Sequence, residues 1–379
     1  MKKPEQISSV VVKVVERCNL NCSYCYMYNH ADQSWRRRPS VMSEELFTLL
    51  MRRIREYCDQ DSERRMAFTF HGGEPLLLGA SRLAHYATIA REIVGDRLAH
   101  MALQTNATLI TREWIDVFQE HNIYIGVSLD GSADIHDAMR VDHAGNGSHA
   151  KTVRGLMNLR EAGIFAGVLC VINPAVNGRQ VYDFFRSIGI ERMAFLLPDI
   201  THDSKPFRYG GLGRTPVADY LIPIFDRWFE EDNPNVVIRL FWDIIKGMLG
   251  GKSSTDTFGN YAQSYVVIES DGAIQPVDTL RVCEEGMIET GLNIREHSFD
   301  DLHLGPPLLE QLVHYGLPLC QTCEDCPEVK VCGGGYVAHR YSHANGFQNP
   351  SAWCQDILRL FEHIRRQIAY QCELVPSDP

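Results

Sequence analysis

The chain has 379 residues and a formal net charge of −11, and 45% of its residues are hydrophobic. A sizeable core is therefore available, and the acidic balance argues against a general nucleic-acid binder while allowing a basic peptide partner. Neither a run of ~18 apolar residues nor a signal-peptide pattern is present, so we expect a cytoplasmic protein without a membrane or nucleic-acid partner.

Strand-like and helix-like patterns alternate over the first two hundred residues. Apolar runs predict strands at 10–15, 66–70, 100–105, 123–129, 165–172 and 192–197. Helical periodicity predicts helices at 43–58, 80–95, 111–121, 149–162 and 178–187. Such alternation is typical of a parallel sheet, and right-handed crossovers curl it. The predicted fold class is α/β, with a partial (β/α)6 TIM-like barrel.

The pattern changes after residue 200. Helices are predicted at 217–232 and 239–251, a β-hairpin at 265–278 with an Asp271-Gly272 turn, and a closing helix at 354–372. The simplest division is a barrel at 1–200, a bridging helical region at 201–264 and a third region at 265–379 that ends in the closing helix.

Nine of the twelve cysteines fall in two groups, and disulfides are rare in the cytosol, so short spacings indicate metal ligands. The first group is Cys18, Cys22 and Cys25, and the second is Cys283, Cys320, Cys323, Cys326, Cys332 and Cys354. The C-x3-C-x2-C spacing of the first group offers three thiolates for the four irons of a [4Fe–4S] cluster, which leaves one iron open for chemistry. A zinc ion, or a cluster with a remote fourth ligand, is the alternative.

Further motifs follow the second, third and fourth predicted strands. They are "FHGGEPLL" at 70–77, "LQTNAT" at 103–108 and "GVSLDG" at 126–131. With the cysteine spacing and Tyr24, they resemble the radical S-adenosylmethionine (radical SAM) enzymes. The resemblance implies that Cys18, Cys22 and Cys25 hold the radical SAM cluster and that SAM binds its open iron. It also implies cofactor contacts from Tyr24, Gly72, Gly73, Glu74, Asn106, Ser128 and Arg140.

The second cysteine group resembles a SPASM domain, which carries auxiliary iron–sulfur clusters; a zinc ribbon is the alternative. The resemblance implies that Cys323, Cys326, Cys332 and Cys354 close one auxiliary [4Fe–4S] cluster. The family's cysteines for another auxiliary cluster are replaced here by Val277 and Tyr336. We therefore expect two clusters per chain, with Cys283 and Cys320 as possible further ligands.

Longer stretches, such as "YNHADQSWRRRP" and "CGGGYVAHRYSHANGFQNPSAWC", resemble the FxsB-like branch with its GrrM and XyeB types. This implies an oxidoreductase that modifies a ribosomally synthesised peptide. A 5′-deoxyadenosyl radical would abstract a Cβ hydrogen, and the carbon would join an aromatic ring to form a three-residue cyclophane. Implied partners are a precursor peptide with a leader and a flavodoxin- or ferredoxin-like electron donor. Because the first strand begins near residue 10, we expect the leader to bind the barrel, the 200–265 region or a separate protein.

The proton released in such a reaction needs a base. Asp199 and His202 follow the sixth predicted strand and are the first candidates, although capping or solvated loop residues are the ordinary interpretation. Asp130 and Asp278 are further candidates. The alternatives for the whole chain are a formylglycine-generating sulfatase maturase, a peptide thioether synthase and, in a different class, an electron-transfer iron–sulfur protein.

Overall fold

The computed structural model describes the chain over residues 5–374, with side chains up to residue 370. These residues group into two compact units. The first comprises 5–129, 133–169 and 262–317, and the second comprises 130–132, 170–261 and 318–374. The division at 200 and 264 stays a prediction about domains. Cys372 lies outside the described side chains.

A parallel sheet forms the centre of the first unit. Its strands are β1 (Ser9–Val15), β2 (Met66–Gly72), β3 (Leu98–Thr105), β4 (Ile123–Ser128) and the start of β5 (Phe165–Val171). Adjacent strands pair in chain order and in parallel. The helices between them are α1 (Glu44–Asp59), α2 (Ala80–Val94), α3 (Arg112–Glu120), α4 (Ala133–Asp137) and α5 (His149–Glu161). The predicted β/α alternation is confirmed for this unit.

Local sequence explains why these elements form. β-Branched Val10 and Val12 alternate along β1 and are fully buried, as expected for a strand inside a covered sheet. Helix α1 begins after Ser43, whose side chain accepts the Leu46 N–H and so caps the helix. The buried face of α1 carries Phe47, which stacks on other aromatic rings of the core.

The predicted hairpin belongs to the same sheet. Strand β8 (Tyr265–Ile268) pairs in parallel with β1, and β9 (Ile274–Gln275) pairs antiparallel with β8. Gly272 has φ +88°, which the turn requires and which glycine adopts without strain. Helix α10 (Pro307–His314) follows in the same unit. The hairpin therefore places the segment after residue 275 beside the start of the barrel sheet.

The second unit contains the end of β5 and the remaining elements. These are α6 (Gly178–Ser187), β6 (Arg192–Leu196), α7 (Lys205–Tyr209), α8 (Pro216–Glu231), β7 (Val237–Ile238), α9 (Arg239–Met248), α11 (Gln321–Glu324), α12 (Val329–Cys332) and α13 (Cys354–Leu374). Strands β6 and β7 pair in parallel. Gly178 lets α6 approach α8 closely, because a Cβ there would lie 2.1 Å from the Tyr220 carbonyl oxygen.

A fully buried ionic network ties the loop after β1 to the hairpin. Arg281 donates to Asp32 at 2.6 Å and to Glu269 at 2.7 Å, and Arg38 lies 3.6 Å from the second oxygen of Glu269. Burial and the charge of Glu269 raise the pKa of Glu16 to about 8. Burial also acts to raise the pKa of Glu269, but the charges of Arg281, Lys13 and Arg38 outweigh it and lower that pKa. At pH 7 Glu16 is therefore the protonated member of the pair.

This assignment predicts opposite outcomes for two matched variants. Glu16→Gln resembles the protonated acid, so we expect its free energy of unfolding at pH 7 to stay within about 1 kcal/mol of the parent, the net value of a typical hydrogen bond. Glu269→Gln removes the charged partner of two buried arginines and should cost about 3–5 kcal/mol. Urea unfolding of both variants measures the difference. Equal losses would contradict the placement of the proton on Glu16.

Candidate functional site

The first cysteine group lies on the loop that leaves β1. Cys25 donates its N–H to the Cys22 carbonyl at 3.0 Å, and Cys18 Sγ accepts the Leu20 N–H at 3.4 Å. Burial, followed by the neighbouring Cys22, raises the pKa of the Cys25 thiol to about 11. Binding iron must therefore release protons from this loop, because thiolates are the ligands.

Polar groups from distant strands reach these thiols. Arg140 Nη1 lies 3.9 Å from Cys22 Sγ, and its guanidinium lies 5.3 Å from the ring centroid of Tyr24. Asn106 Nδ2 lies 3.9 Å from Cys18 Sγ. The loop at 139–141 carries Arg140 into place, since the backbone of residues 21 and 23 donates to it at 2.7 and 3.0 Å. A cation and an amide N–H both favour the thiolate form of a cysteine.

Glu74 connects the ends of two strands. Its side chain is 1% exposed, and Oε1 accepts from the Thr105 hydroxyl at 2.7 Å and from the Leu76 N–H at 3.1 Å. Oε2 accepts the Asn106 N–H at 2.8 Å. Burial raises the pKa of Glu74 to about 7. The carboxyl group thus positions Asn106 through its backbone N–H.

Gly72 and Gly73 allow the end of β2 to lie directly against the cysteine loop. A Cβ at Gly72 would lie 2.0 Å from the Val15 carbonyl oxygen, and one at Gly73 would lie 2.0 Å from the Tyr28 hydroxyl and 2.4 Å from the Arg17 carbonyl oxygen. Backbone groups form most of this contact, so it cannot relax by rotation of a flexible side chain.

We therefore expect Gly73→Ala to be destabilising. Overpacking lowers the free energy of unfolding by about 1–3 kcal/mol. Because backbone atoms cannot move aside at this site, we expect a loss at the upper end of that range. Gly211→Ala is the control, because a Cβ there meets nothing within 4 Å. Thermal unfolding of the two variants tests the contact; equal midpoints would contradict it.

Ser128 ends β4, and its hydroxyl accepts from Gln104 Nε2 at 3.0 Å. The structure thus brings the predicted residues of the first site to the carboxyl ends of parallel strands, where sites of α/β folds form. Direct contacts with one another or with the thiols are made by Cys18, Cys22, Tyr24, Cys25, Glu74, Asn106 and Arg140.

The sequence analysis missed a buried cluster around Asp278. Tyr26 donates to Asp278 Oδ2 at 2.7 Å, and Lys13 Nζ forms an ion pair with the same oxygen. Burial acts to raise the pKa of Asp278, but Lys13 and His71 outweigh it and hold that pKa well below its usual range. Lys13 is 0% exposed, and a charged residue inside the apolar run "VVVKVV" was the available signal.

The second cysteine group divides between the units. Cys283 belongs to the first unit, whereas the other five thiols belong to the second. Electrostatic contacts connect those five: Cys332 interacts with Cys323, Cys326 and Cys354, and Cys320 interacts with Cys323 and Cys354. Burial raises the pKa of Cys332 to about 12.

Arg340 lies beside these thiols. It is 1% exposed and has electrostatic contacts with Cys323, Cys320 and Cys332. Its Nε has no hydrogen-bond partner in the described part of the chain. A buried cation of this kind requires a nearby negative charge. A cluster held by cysteine thiolates would supply it, so the residues fit such a group.

No three His, Cys, Asp or Glu side chains within the described ranges converge tightly enough for a single metal ion. Four irons spread their ligands farther apart than one ion does, so a [4Fe–4S] cluster does not need such a convergence.

Three of the four predicted base candidates lie in the second unit, whereas Asp278 lies in the first. His202 Nε2 lies 2.8 Å from the Pro350 carbonyl oxygen, a contact that uses one ring nitrogen as a donor. Asp199 Oδ1 lies 3.8 Å from Nε2 of buried His339, whose pKa is lowered by burial to about 3. Asp130 accepts the Val171 N–H at 3.1 Å. His202 and Asp130 are thus hydrogen-bonded to the backbone of the same unit.

Comparison with known proteins gives a family match for part of the chain. Residues 12–188 match the model described as the Radical SAM superfamily. The matched segment contains Cys18, Cys22 and Cys25 and the polar residues beside them. Radical SAM domains bind S-adenosylmethionine and a [4Fe–4S] cluster, which agrees with the three thiols and the polar groups around them.

Relatives extend the similarity beyond that segment. A cysteine-type anaerobic sulfatase-maturating enzyme of Clostridium novyi is 24% identical, over 97% of each chain. A serine-type anaerobic sulfatase-maturating enzyme of Bacteroides thetaiotaomicron is 26% identical, over 94% of this chain and 89% of its own.

Two solved structures share the fold of this chain. Native anSMEcpe with bound AdoMet and Cp18Cys peptide has a TM-score of 0.83 at 24% identity, over 96% of this chain and 98% of its own. Streptococcus suis SuiB bound to the precursor peptide SuiA has a TM-score of 0.61 at 15% identity, over 92% of this chain and 76% of its own. In the part of the chain that the structure describes, every helix is too short or too polar to span a bilayer.

Proposed function

We propose that the protein is a radical SAM enzyme that oxidises a serine or cysteine side chain of a polypeptide to formylglycine. The observation that carries this proposal is the match to sulfatase-maturating enzymes over 97% of both chains. This match favours formylglycine formation, which the sequence left as an alternative, over the predicted cyclophane crosslink.

The bound cofactors supply a 5′-deoxyadenosyl radical that removes one hydrogen atom from the substrate carbon. We propose that Cys18, Cys22 and Cys25 hold the cluster. Arg140 and Asn106 lie against two of these thiols and so stabilise their negative charge. Glu74 holds the Asn106 backbone and thereby keeps its amide beside Cys18.

The oxidation must also release a proton, and we propose that Asp278 accepts it in preference to Asp199 or His202. Asp278 is ionised at neutral pH, lies in the same unit as the cysteine loop and is held by Tyr26, the residue after Cys25. Burial and Asp278 itself raise the pKa of Tyr26, so that its hydroxyl stays a donor. A substrate hydroxyl or thiol would donate a hydrogen bond to the same carboxylate.

The electron left on the substrate needs an acceptor. We propose that Cys323, Cys326, Cys332 and Cys354 hold an auxiliary [4Fe–4S] cluster in a SPASM-like region, with Arg340 compensating its charge. Three features stay predictions. They are a leader on the precursor peptide, a flavodoxin- or ferredoxin-like electron donor and a cytoplasmic location.

The proposal is tested with anaerobically reconstituted enzyme, SAM, a reductant and a peptide that presents serine, cysteine or alanine at one position. We expect an aldehyde, detected by hydrazide labelling and mass spectrometry, in the serine or cysteine peptide and none in the alanine peptide. SAM cleavage without any aldehyde would contradict it.

The predicted cyclophane is the second candidate. The replacement of two auxiliary-cluster cysteines by Val277 and Tyr336 favours it, because sulfatase maturases normally carry both auxiliary clusters. Serine oxidation and crosslinking each remove two hydrogens. They differ in that a crosslinked peptide does not react with hydrazide and resists fragmentation between the joined residues.

A further inference from the structure

A fifth thiol lies within the proposed auxiliary site. Cys320, Cys323 and Cys326 follow one another at three-residue spacing around the short helix α11. Cys323 donates its N–H to the Cys320 carbonyl at 2.9 Å, and Cys326 donates to the Cys323 carbonyl at 3.2 Å. Two consecutive i→i+3 turns therefore hold the backbones of these three cysteines close together.

Cys320 shares its surroundings with Cys323. The two thiols interact electrostatically with each other, and each interacts with Cys354. Each also interacts with the buried guanidinium of Arg340. The two thiols differ in exposure, because Cys323 is 7% exposed and Cys320 is partly exposed.

A closed [4Fe–4S] cluster takes four thiolates, and this site offers five. The Arg340 Nε that has no partner within the described residues shows independently that an anion belongs here.

We infer that Cys320 is a reserve ligand that exchanges with Cys323 on the auxiliary cluster. The inference rests on the auxiliary cluster of the proposed function. In the exchange, the iron–sulfur bond of Cys323 breaks and one to Cys320 forms, while the Cys320 proton moves to Cys323. No electron is gained or lost, so no oxidant or reductant is needed.

The experiment uses full-length chain in which Cys18, Cys22 and Cys25 are replaced by alanine, so that only auxiliary iron is counted. About four irons per chain are expected in this background. Adding Cys323→Ala should leave about four irons and change the EPR spectrum of the reduced cluster, because one ligand has changed. Adding Cys326→Ala, the matched control without an adjacent spare thiol, should remove the iron, as should Cys320→Ala with Cys323→Ala.

Thiol alkylation of the folded variants gives a second readout that does not depend on iron yield. Cys320 should be alkylated in the background chain and protected in the Cys323→Ala variant, where it is a ligand. Loss of iron in Cys323→Ala equal to that in Cys326→Ala, or an alkylated Cys320 in Cys323→Ala, would overturn the reserve role. A background chain that binds no iron would instead refute the auxiliary cluster itself.

Discussion

Replacing Cys18, Cys22 and Cys25 together by alanine is expected to remove about four irons per chain and to abolish the cleavage of SAM to 5′-deoxyadenosine. The physical reason is that these three thiols are the proposed ligands of the cluster that binds SAM. Arg140 and Asn106 orient thiols but cannot replace them, because nitrogen donors that carry protons do not bind iron.

Iron content, the EPR signal of the reduced protein and 5′-deoxyadenosine formation measure this result. Cys58→Ala is the control, since Cys58 is fully buried in α1 and belongs to neither cysteine group. It should lose some stability through a small cavity yet keep its iron and its SAM cleavage. Full iron content in the triple variant would refute the proposed location of the cluster.

Asp278→Asn should separate SAM cleavage from peptide modification. The variant keeps the shape of the side chain but removes the proton acceptor, and general base catalysis is worth about 10²–10⁴-fold in rate. We therefore expect 5′-deoxyadenosine to form still, while the rate of peptide modification falls by about that factor. Quantifying both products in the same reaction provides the measurement.

A purely structural effect of Asp278→Asn must be distinguished, because the change leaves Lys13 buried without its counter-charge. The double variant Lys13→Gln with Asp278→Asn removes both charges and should recover stability. If Asp278 is the base, the double variant regains the folded state but not the modification rate. Recovery of the modification rate would show that Asp278 acts only by neutralising Lys13.

Glu74 and Lys13 differ in how much of their surroundings could be predicted from the sequence. The motif around Glu74 was visible in the sequence, but its three hydrogen bonds to residues 76, 105 and 106 were not. Lys13 and Asp278 are separated by 265 positions along the chain, and no local pattern indicates that they meet. The roles of Asp199 and His202 stay predictions.

The sequence by itself determined the order of strands and helices, the hairpin turn at Asp271-Gly272 and the position of the cysteine loop after β1. These features depend on periodicity and spacing among near neighbours, which a chain carries at every position. Only the tertiary structure decided that the hairpin strand β8 pairs with β1 and that Asp278 meets Lys13 and Tyr26. Such contacts depend on burial and charge compensation between distant segments, and these energies exist only once the chain is folded.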